Sequence, residues 1–77
     1  MDIRQIFGNN LKHYRTLANM SQAALAVKMG VDRAHVSSME RGQQNVTIIT
    51  RWHAALALDV RPDLLLKESA TEGAEQT

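Results

Sequence analysis

A three-residue break between two short helical segments constrains the fold of this chain more than any other feature. Hydrophobic spacing predicts one helix over residues 22–29 and another over residues 33–41, joined only by residues 30–32. A connection this short forces the helix axes to cross steeply, and a steep crossing requires a small side chain where the axes approach. Ala26 supplies the small residue in the first helix, and Val36 supplies a β-branched residue from the second. The segment therefore predicts a tightly turned pair of helices.

Capping signals mark both helices of this pair. Ser21 and Asp32 are N-cap residues, and Gly30 stands where a left-handed residue commonly ends a helix. The pattern of Ala26, Gly30 and Val36, with three and five residues between them, is typical of a DNA-binding helix-turn-helix. Plain packing of a helical hairpin is the alternative interpretation of the same three residues.

The rest of the chain predicts an all-α fold. Helical periodicity indicates further helices over about 3–18 and 48–58, and Pro62 begins a short fifth helix that runs through about Lys67. No segment shows the alternation of a strand. Trp52 on the fourth helix is expected in the core, with its indole N–H reaching the surface. The first helix carries one apolar stripe, formed by Ile3, Ile6, Phe7, Leu11, Tyr14 and Leu17.

Length and charge indicate one mildly basic domain. We expect a DNA-binding domain over residues 1–68, with the helix-turn-helix at about 21–42, and a flexible acidic tail over 69–77. All nine basic residues but only six of the eight acidic ones lie in residues 1–68, which permits DNA binding without requiring it. The absence of cysteine excludes disulfides and thiolate metal sites. No apolar run approaches the roughly 20 residues of a membrane span and no signal peptide is evident, so a cytoplasmic location is expected.

The outward face of the third predicted helix carries the candidate base contacts. This face holds no large apolar side chain, so it is slim enough to enter a major groove about 12 Å wide. Its residues are Arg33, Ala34, Ser37, Ser38 and Arg41. The guanidinium fork of Arg33 matches the O6 and N7 of guanine, and Ala34 fits a thymine methyl. The two serines fit bases or bridging waters. The alternative to base contact is that Arg33 is a solvated surface residue and that Ser37 and Ser38 contact nothing.

Residues Gln22 to Val60 resemble the Xre/Cro–CI family of helix-turn-helix repressors, and the similarity extends over about residues 6–66. It implies a compact five-helix, lambda-repressor-like DNA-binding domain. A weaker similarity, at Asp32-Arg33 through Val36-Ser37 and Glu40-Arg41 to Asn45, points to the controller proteins of restriction–modification systems. The residues that carry the family resemblance are Phe7-Gly8, Leu11, Arg15, Ser21-Gln22, Leu25-Ala26, Gly30-Val31, Val36-Ser37, Met39-Glu40-Arg41-Gly42, Asn45 and Leu58.

The resemblance also implies roles for individual residues. Arg15 and Glu40, which stand on otherwise apolar faces, would form an ion pair that ties the first helix to the third. Arg33, Ala34, Ser37 and Ser38 match positions that face bases. Family positions near the sugar–phosphate backbone correspond to Gln22, Arg41, Gln44, Asn45 and Thr47. His35 is either a phosphate donor or a solvated side chain. The chain departs from the family at Arg51, where leucine is usual, and at Asp59, where glycine is usual.

A run of three leucines in the fifth predicted helix indicates a surface that binds a second copy of the chain. These leucines are Leu64, Leu65 and Leu66. Three consecutive leucines on one short helix cannot all face a single core, and exposed aliphatic patches on small domains commonly mark interfaces. Members of the resembled family dimerise through this terminal helix. A two-fold homodimer would place two recognition helices about 34 Å apart on a pseudo-palindromic operator. The alternative is one leucine that is simply exposed.

These features bear on three classes of function. A sequence-specific transcription regulator that binds double-stranded DNA agrees with all of them. An antitoxin with a protein partner is the alternative, for which the nine-residue acidic tail is the only candidate toxin-binding segment. An enzyme is not expected, because no nucleophile–base pair, carboxylate dyad or phosphate-binding loop is present. No cofactor is expected, and His13 and His53 lack neighbours at metal-ligand spacing.

Overall fold

The structure is a computed structural model that describes residues 2–68, and the predicted acidic tail lies outside the described residues. The described range is all-α, without strands, which confirms the predicted fold class. The four α-helices agree with the predicted ones to within about one residue at each end. The elements are α1 (Ile3–Leu17), α2 (Gln22–Met29), α3 (Arg33–Glu40), α4 (Ile48–Leu58) and a 3-10 helix (Pro62–Leu66).

The predicted fifth helix is present, but it is a 3-10 helix of five residues and ends before Lys67. The backbone is already extended at Lys67, with φ −85° and ψ 120°. The element therefore makes fewer than two turns, and helical segments this short commonly adopt the tighter 3-10 bonding pattern.

Side-chain caps fix the starts of three α-helices. The Asp2 carboxylate accepts a bond from the Arg4 amide, and hydrogen bonds from Arg4 hold the pKa of this carboxyl below its ordinary value. Ser21 and Thr47 cap α2 and α4, each accepting from the amide three residues on at 3.0 Å. Asp32 occupies the N-cap position of α3 as predicted, but its side chain makes no capping hydrogen bond.

The core lies between α1, α2, α3, α4 and the 3-10 helix. On α1 the middle of the predicted stripe is buried, whereas Ile3 and Leu17, the first and last residues of the helix, are exposed. They lie outside the core because α1, at 15 residues, is much longer than the eight-residue helices α2 and α3. The buried apolar residues are Phe7, Leu11, Leu25, Ala26, Met29, Val36, Met39, Ala54, Ala55, Leu58 and Leu65.

The prediction that Trp52 belongs to the core is wrong, since its side chain is 51% exposed. The inward stripe of α4 consists of Ala54, Ala55 and Leu58, with the half-buried Arg51 one turn earlier. Trp52 is one residue beyond Arg51, about 100° around the helix, and therefore points away from this stripe.

α1 and α3 approach each other at Gly8, where only a glycine fits. A Cβ built on Gly8 would lie 2.8 Å from the carbonyl oxygen of Glu40, and closer still to that of Met39. Both obstacles are backbone atoms, which cannot move aside as a flexible side chain would. Gly8 weakens α1 locally, but it permits the close contact between α1 and α3.

Replacing Gly8 tests this contact. Gly8→Ala gains helix propensity, but we expect a net loss of about 1–3 kcal/mol in the free energy of unfolding, because α1 and α3 must separate. The measurement is urea denaturation followed by circular dichroism. Asn9→Ala, at the exposed neighbouring position, is the control and should change stability by less than about 0.5 kcal/mol. A Gly8→Ala variant as stable as the control would contradict the close approach.

Candidate nucleic-acid interface

The turn between α2 and α3 has the geometry that its sequence predicts. Gly30 adopts the left-handed conformation with φ 73°, and the amide of Val31 donates to the carbonyl of Ala26 at 3.0 Å. Ala26 and Val36 are both buried at the crossing of the two helices. The spacing of the three pattern residues therefore produces a compact helix-turn-helix.

α3 has one face packed against the core and one face directed outward. Its inward side chains, Val36, Met39 and Glu40, are buried. On the other face Arg33 and Ala34 are exposed, while Ser37 and Ser38 are half-buried. Arg41, predicted as the last residue of this helix, directly follows it and is exposed. Within residues 2–68 this outward face is available to a partner, and its side chains are short or polar. The structure therefore brings together the predicted base-facing residues on one accessible strip of helix.

An ion pair beneath this strip joins α1 to the end of α3. Arg15 and Glu40 form the predicted pair through two bonds, Nε to Oε2 at 2.6 Å and Nη2 to Oε1 at 3.1 Å. Their side chains are only 13% and 4% exposed. Arg15 also donates from Nη1 to the carbonyl oxygen of Met20 at 2.8 Å, at the start of the helix-turn-helix. Bonding of both charges offsets their loss of hydration.

Gln22 extends this pair to the protein surface. Its amide Nε2 donates to Oε1 of Glu40 at 3.0 Å, and its Oε1 accepts a bond from Nη1 of Arg33 at 3.3 Å. A continuous chain of contacts therefore runs from Arg15 through Glu40 and Gln22 to Arg33. The family resemblance implies a phosphate contact for Gln22, but the sequence does not predict this bridge, because the bridge depends on how α2 and α3 cross.

The two serines of α3 are each held by a neighbouring side chain. Arg41 donates from Nη1 to the Ser37 hydroxyl, and Gln44 donates from Nε2 to that of Ser38 at 3.0 Å. Both serine oxygens act as acceptors in these bonds, so each hydroxyl hydrogen is left to donate to a base or a water. The contacts connect predicted base-facing residues with predicted phosphate-facing ones.

The loop after α3 carries the remaining predicted contacts. Asn45 and Thr47 are exposed, and the Thr47 hydroxyl caps α4. Outside this loop, the predicted contact residue His35 is half-buried on α3. Gln43, which sequence analysis did not select, accepts a bond from Nε of Arg41 at 3.3 Å. The position of Gln43 next to predicted contact residues was the only available signal for it.

Asn10 is a second residue that sequence analysis missed. It is a buried polar residue, and its amide bonds to two carbonyl groups at the end of the 3-10 helix. A signal existed, because Asn10 lies three residues after Phe7 and therefore on the apolar stripe of α1.

Comparison with known proteins identifies the family. A protein-family model described as helix-turn-helix matches residues 11–65. The control protein C.SmaI of Serratia marcescens is 39% identical over 69 residues, covering 88% of this chain and 82% of that protein. The chain therefore belongs to the helix-turn-helix family, as its resemblance to Xre/Cro–CI proteins implied.

Solved structures of similar proteins share the fold. The restriction-modification controller protein C.AhdI from Aeromonas hydrophila has 40% sequence identity and a TM-score of 0.78, covering 80% of this chain and 90% of that one. The hypothetical transcription factor NHTF from Neisseria has 30% identity and a TM-score of 0.86, covering 99% and 86% of the two chains.

Residues 2–68 contain neither a candidate metal site nor a candidate membrane span. No group of three or more His, Asp or Glu side chains there is placed to hold a metal ion. None of the helices in this range has the length and apolarity needed to cross a membrane.

Substitutions at the buried ion pair test its contribution to stability. Arg15→Met should lower the free energy of unfolding by about 3–5 kcal/mol, because it leaves the Glu40 carboxylate buried and unpaired. The double variant Arg15→Met/Glu40→Leu should lose less than Arg15→Met alone, since no charge then remains. Urea denaturation of both single variants and the double variant gives the coupling free energy.

An exposed ion pair supplies the control for that cycle. Arg61 and Asp63 form such a pair, and the Arg61 side chain is largely solvated. Arg61→Ala should therefore change stability by at most about 1 kcal/mol. Equal losses for Arg15→Met and Arg61→Ala would show that burial adds nothing to the pair.

Proposed function

We propose that this helix-turn-helix regulator binds operator DNA with α3 in the major groove. The observation that carries the proposal is the outward strip of α3, which is polar, accessible and backed by a buried core. An α-helix with such a face fits a groove about 12 Å wide. Selection of bound sites from random double-stranded DNA tests the proposal. Recovery of no enriched sequence would contradict it.

Arg33 is the principal base-reading residue in this proposal. It lies in the first turn of α3, and Gln22 holds one of its guanidinium nitrogens, which limits the conformations that the fork samples. Pairing of such a fork with guanine O6 and N7 gives base discrimination. Ala34, Ser37 and Ser38 are proposed to contact the adjacent bases, with the alanine against a thymine methyl.

Phosphate contacts surround this strip. The proposed donors combine side chains with the free amide groups at the starts of α2 and α3, where the helix dipoles favour anions. Gln22 keeps one amide hydrogen beyond its bond to Glu40, so it can serve both roles. The remaining side chains proposed to contact the sugar–phosphate backbone are His35, Arg41, Gln44, Asn45 and Thr47.

We also propose that the protein acts as a homodimer through an apolar surface on α4 and the 3-10 helix. Leu65 is 0% exposed and belongs to the core, so its inclusion in the predicted interface is corrected. Leu66 is exposed and Leu64 is half-buried, so both remain candidates. Leu66 lines one groove with Ile48, and further exposed apolar residues continue along α4. We define the α4 surface as Ile48, Ile49, Trp52, Leu56, Leu64 and Leu66.

A second copy of this chain is the occupant that best fits the α4 surface. The surface lies on elements other than α2 and α3, so a two-fold pairing there leaves both recognition helices free for DNA. Their spacing would match half-sites about 34 Å apart on a pseudo-palindrome. Binding of both half-sites then provides regulation through protein concentration, without a cofactor.

The named relatives favour control of a restriction–modification system. C.SmaI is named a control protein, and C.AhdI a restriction-modification controller protein. We therefore propose this regulatory role, in the cytoplasm where DNA is accessible. None of the named relatives reported above is an antitoxin, so that alternative is not favoured. Identification of the genes beside the selected operator tests the proposed role.

Substitution at Arg33 separates base reading from general DNA affinity. Arg33→Ala should weaken binding to the selected operator by about 1–3 kcal/mol and relax the preference at one position in each half-site. Arg41→Ala is the matched comparison, because it should weaken all DNA sequences alike and reduce the salt dependence by about one unit of slope. Fluorescence anisotropy at several salt concentrations measures both. Equal weakening of operator and random DNA by Arg33→Ala would assign Arg33 to phosphate.

A charge on the α4 surface tests the dimer. Ile49 is 63% exposed, so Ile49→Glu should fold normally but place a carboxylate in the seam and yield monomers. Sedimentation velocity gives the oligomeric state. Leu17→Glu, an equal change at an exposed residue of α1, is the control and should remain a dimer. An Ile49→Glu dimer as tight as the control would place the interface elsewhere.

A further inference from the structure

Asn10 stands out as a polar side chain sealed inside an apolar core. It is 2% exposed. Its Nδ2 donates to the carbonyl oxygens of Leu65 and Lys67, at 2.9 Å in each case. Both hydrogens of the amide are thereby used on two backbone groups of one short segment. This arrangement clamps the end of the 3-10 helix onto α1.

The clamped segment carries part of the proposed dimer surface. Leu65 is buried against α1, while its neighbours Leu64 and Leu66 retain accessible area. A 3-10 helix of five residues has little stability of its own. The orientation of Leu64 and Leu66 relative to the rest of the domain therefore depends on what holds this segment, and Asn10 provides two of those bonds.

The same helix, α1, is also fixed to the recognition helix. Gly8 lies against the backbone of α3, two residues before Asn10, and Arg15 pairs with Glu40 at the end of α3. α1 therefore connects the α4 surface on one side with the DNA-reading helix on the other. In a dimer, this connection sets the distance and angle between the two copies of α3.

We propose that Asn10 is a positioning residue for operator geometry, and that its clamp on residues 65–67 makes the dimer selective for one spacing of half-sites. The inference rests on the proposed binding of DNA by a homodimer. Adding one base pair between half-sites moves them apart by about 3.4 Å and rotates one by about 35° around the duplex. A dimer with a rigid seam resists both displacements, whereas a dimer with a loosened 3-10 helix accommodates them.

The test compares full operators with altered spacing against a single half-site. For the wild-type protein, insertion or deletion of one base pair should weaken binding by about tenfold or more. In Asn10→Asp, which keeps the side-chain shape but replaces the donor amide with a carboxylate, this ratio should fall to about threefold or less. Affinity for the single half-site should stay within about twofold, because α3 is unchanged.

Two further variants keep the result decisive. Asn10→Ser retains one donor in a smaller side chain and should give an intermediate ratio; it replaces Asn10→Asp if the latter does not fold. Asn9→Asp introduces the same charge at the exposed neighbouring position and should behave as wild type. Circular dichroism at the assay temperature confirms the folded fraction of each variant.

The outcomes separate the possible failures. If Asn10 only stabilises the fold, its variants will lose affinity for every DNA in proportion and the spacing ratio will stay at the wild-type value, which overturns the inference. If the wild-type protein binds full operators no better than single half-sites, the proposed dimeric function itself fails. A reduced ratio with unchanged half-site binding supports Asn10 as a positioning residue.

Discussion

The buried pair of Arg15 and Glu40 is the interaction on which the arrangement of the proposed DNA-binding surface depends. The Glu40 carboxylate receives donors from α1 and α2 while its own backbone belongs to α3, so one charge holds three helices in register. A neutral contact would permit sliding, but a buried carboxylate requires its partners at hydrogen-bond distance. Gln22 carries this constraint outward to Arg33. One network of hydrogen bonds therefore connects the buried ion pair with the exposed side chain of Arg33.

Local signals determine most of what the sequence predicts correctly. The helix-turn-helix follows from chain-local chemistry, namely a left-handed Gly30, two N-cap residues and small side chains at the crossing. The accessible strip of α3 follows from helical periodicity, so Arg33 and Arg41 could be placed without knowledge of the remaining fold. The family resemblance supplied the pairing of Arg15 with Glu40, which periodicity alone leaves unexplained.

Features that depend on distant contacts were predicted less well. Trp52 is large and aromatic, and its residue type favours burial, but it lies about 100° around α4 from Arg51 and therefore outside the inward stripe. Leu64, Leu65 and Leu66 are equivalent in sequence, and only the packing of the 3-10 helix on α1 distinguishes them. The bridge from Gln22 to Arg33 spans 11 positions in the sequence, and the bond from Asn10 to Leu65 spans 55. Periodicity places Asn10 on the buried stripe of α1, but it does not identify a partner that lies so far along the chain.

The bridge from Gln22 to Arg33 limits which side chains suit residue 33, the proposed base-reading position. The amide nitrogen of Gln22 is committed to Glu40, so the face it turns toward residue 33 is a carbonyl oxygen, which accepts but does not donate. Arginine, lysine or an amide suits that neighbour, whereas a carboxylate would be repelled unless the Gln22 amide rotated and abandoned Glu40. A carboxylate at residue 33, which would accept from the N4 amino group of cytosine, therefore requires exchange of residues 22 and 33 together. In this fold, Gln22 on α2 therefore helps to determine which bases a side chain at residue 33 can recognise.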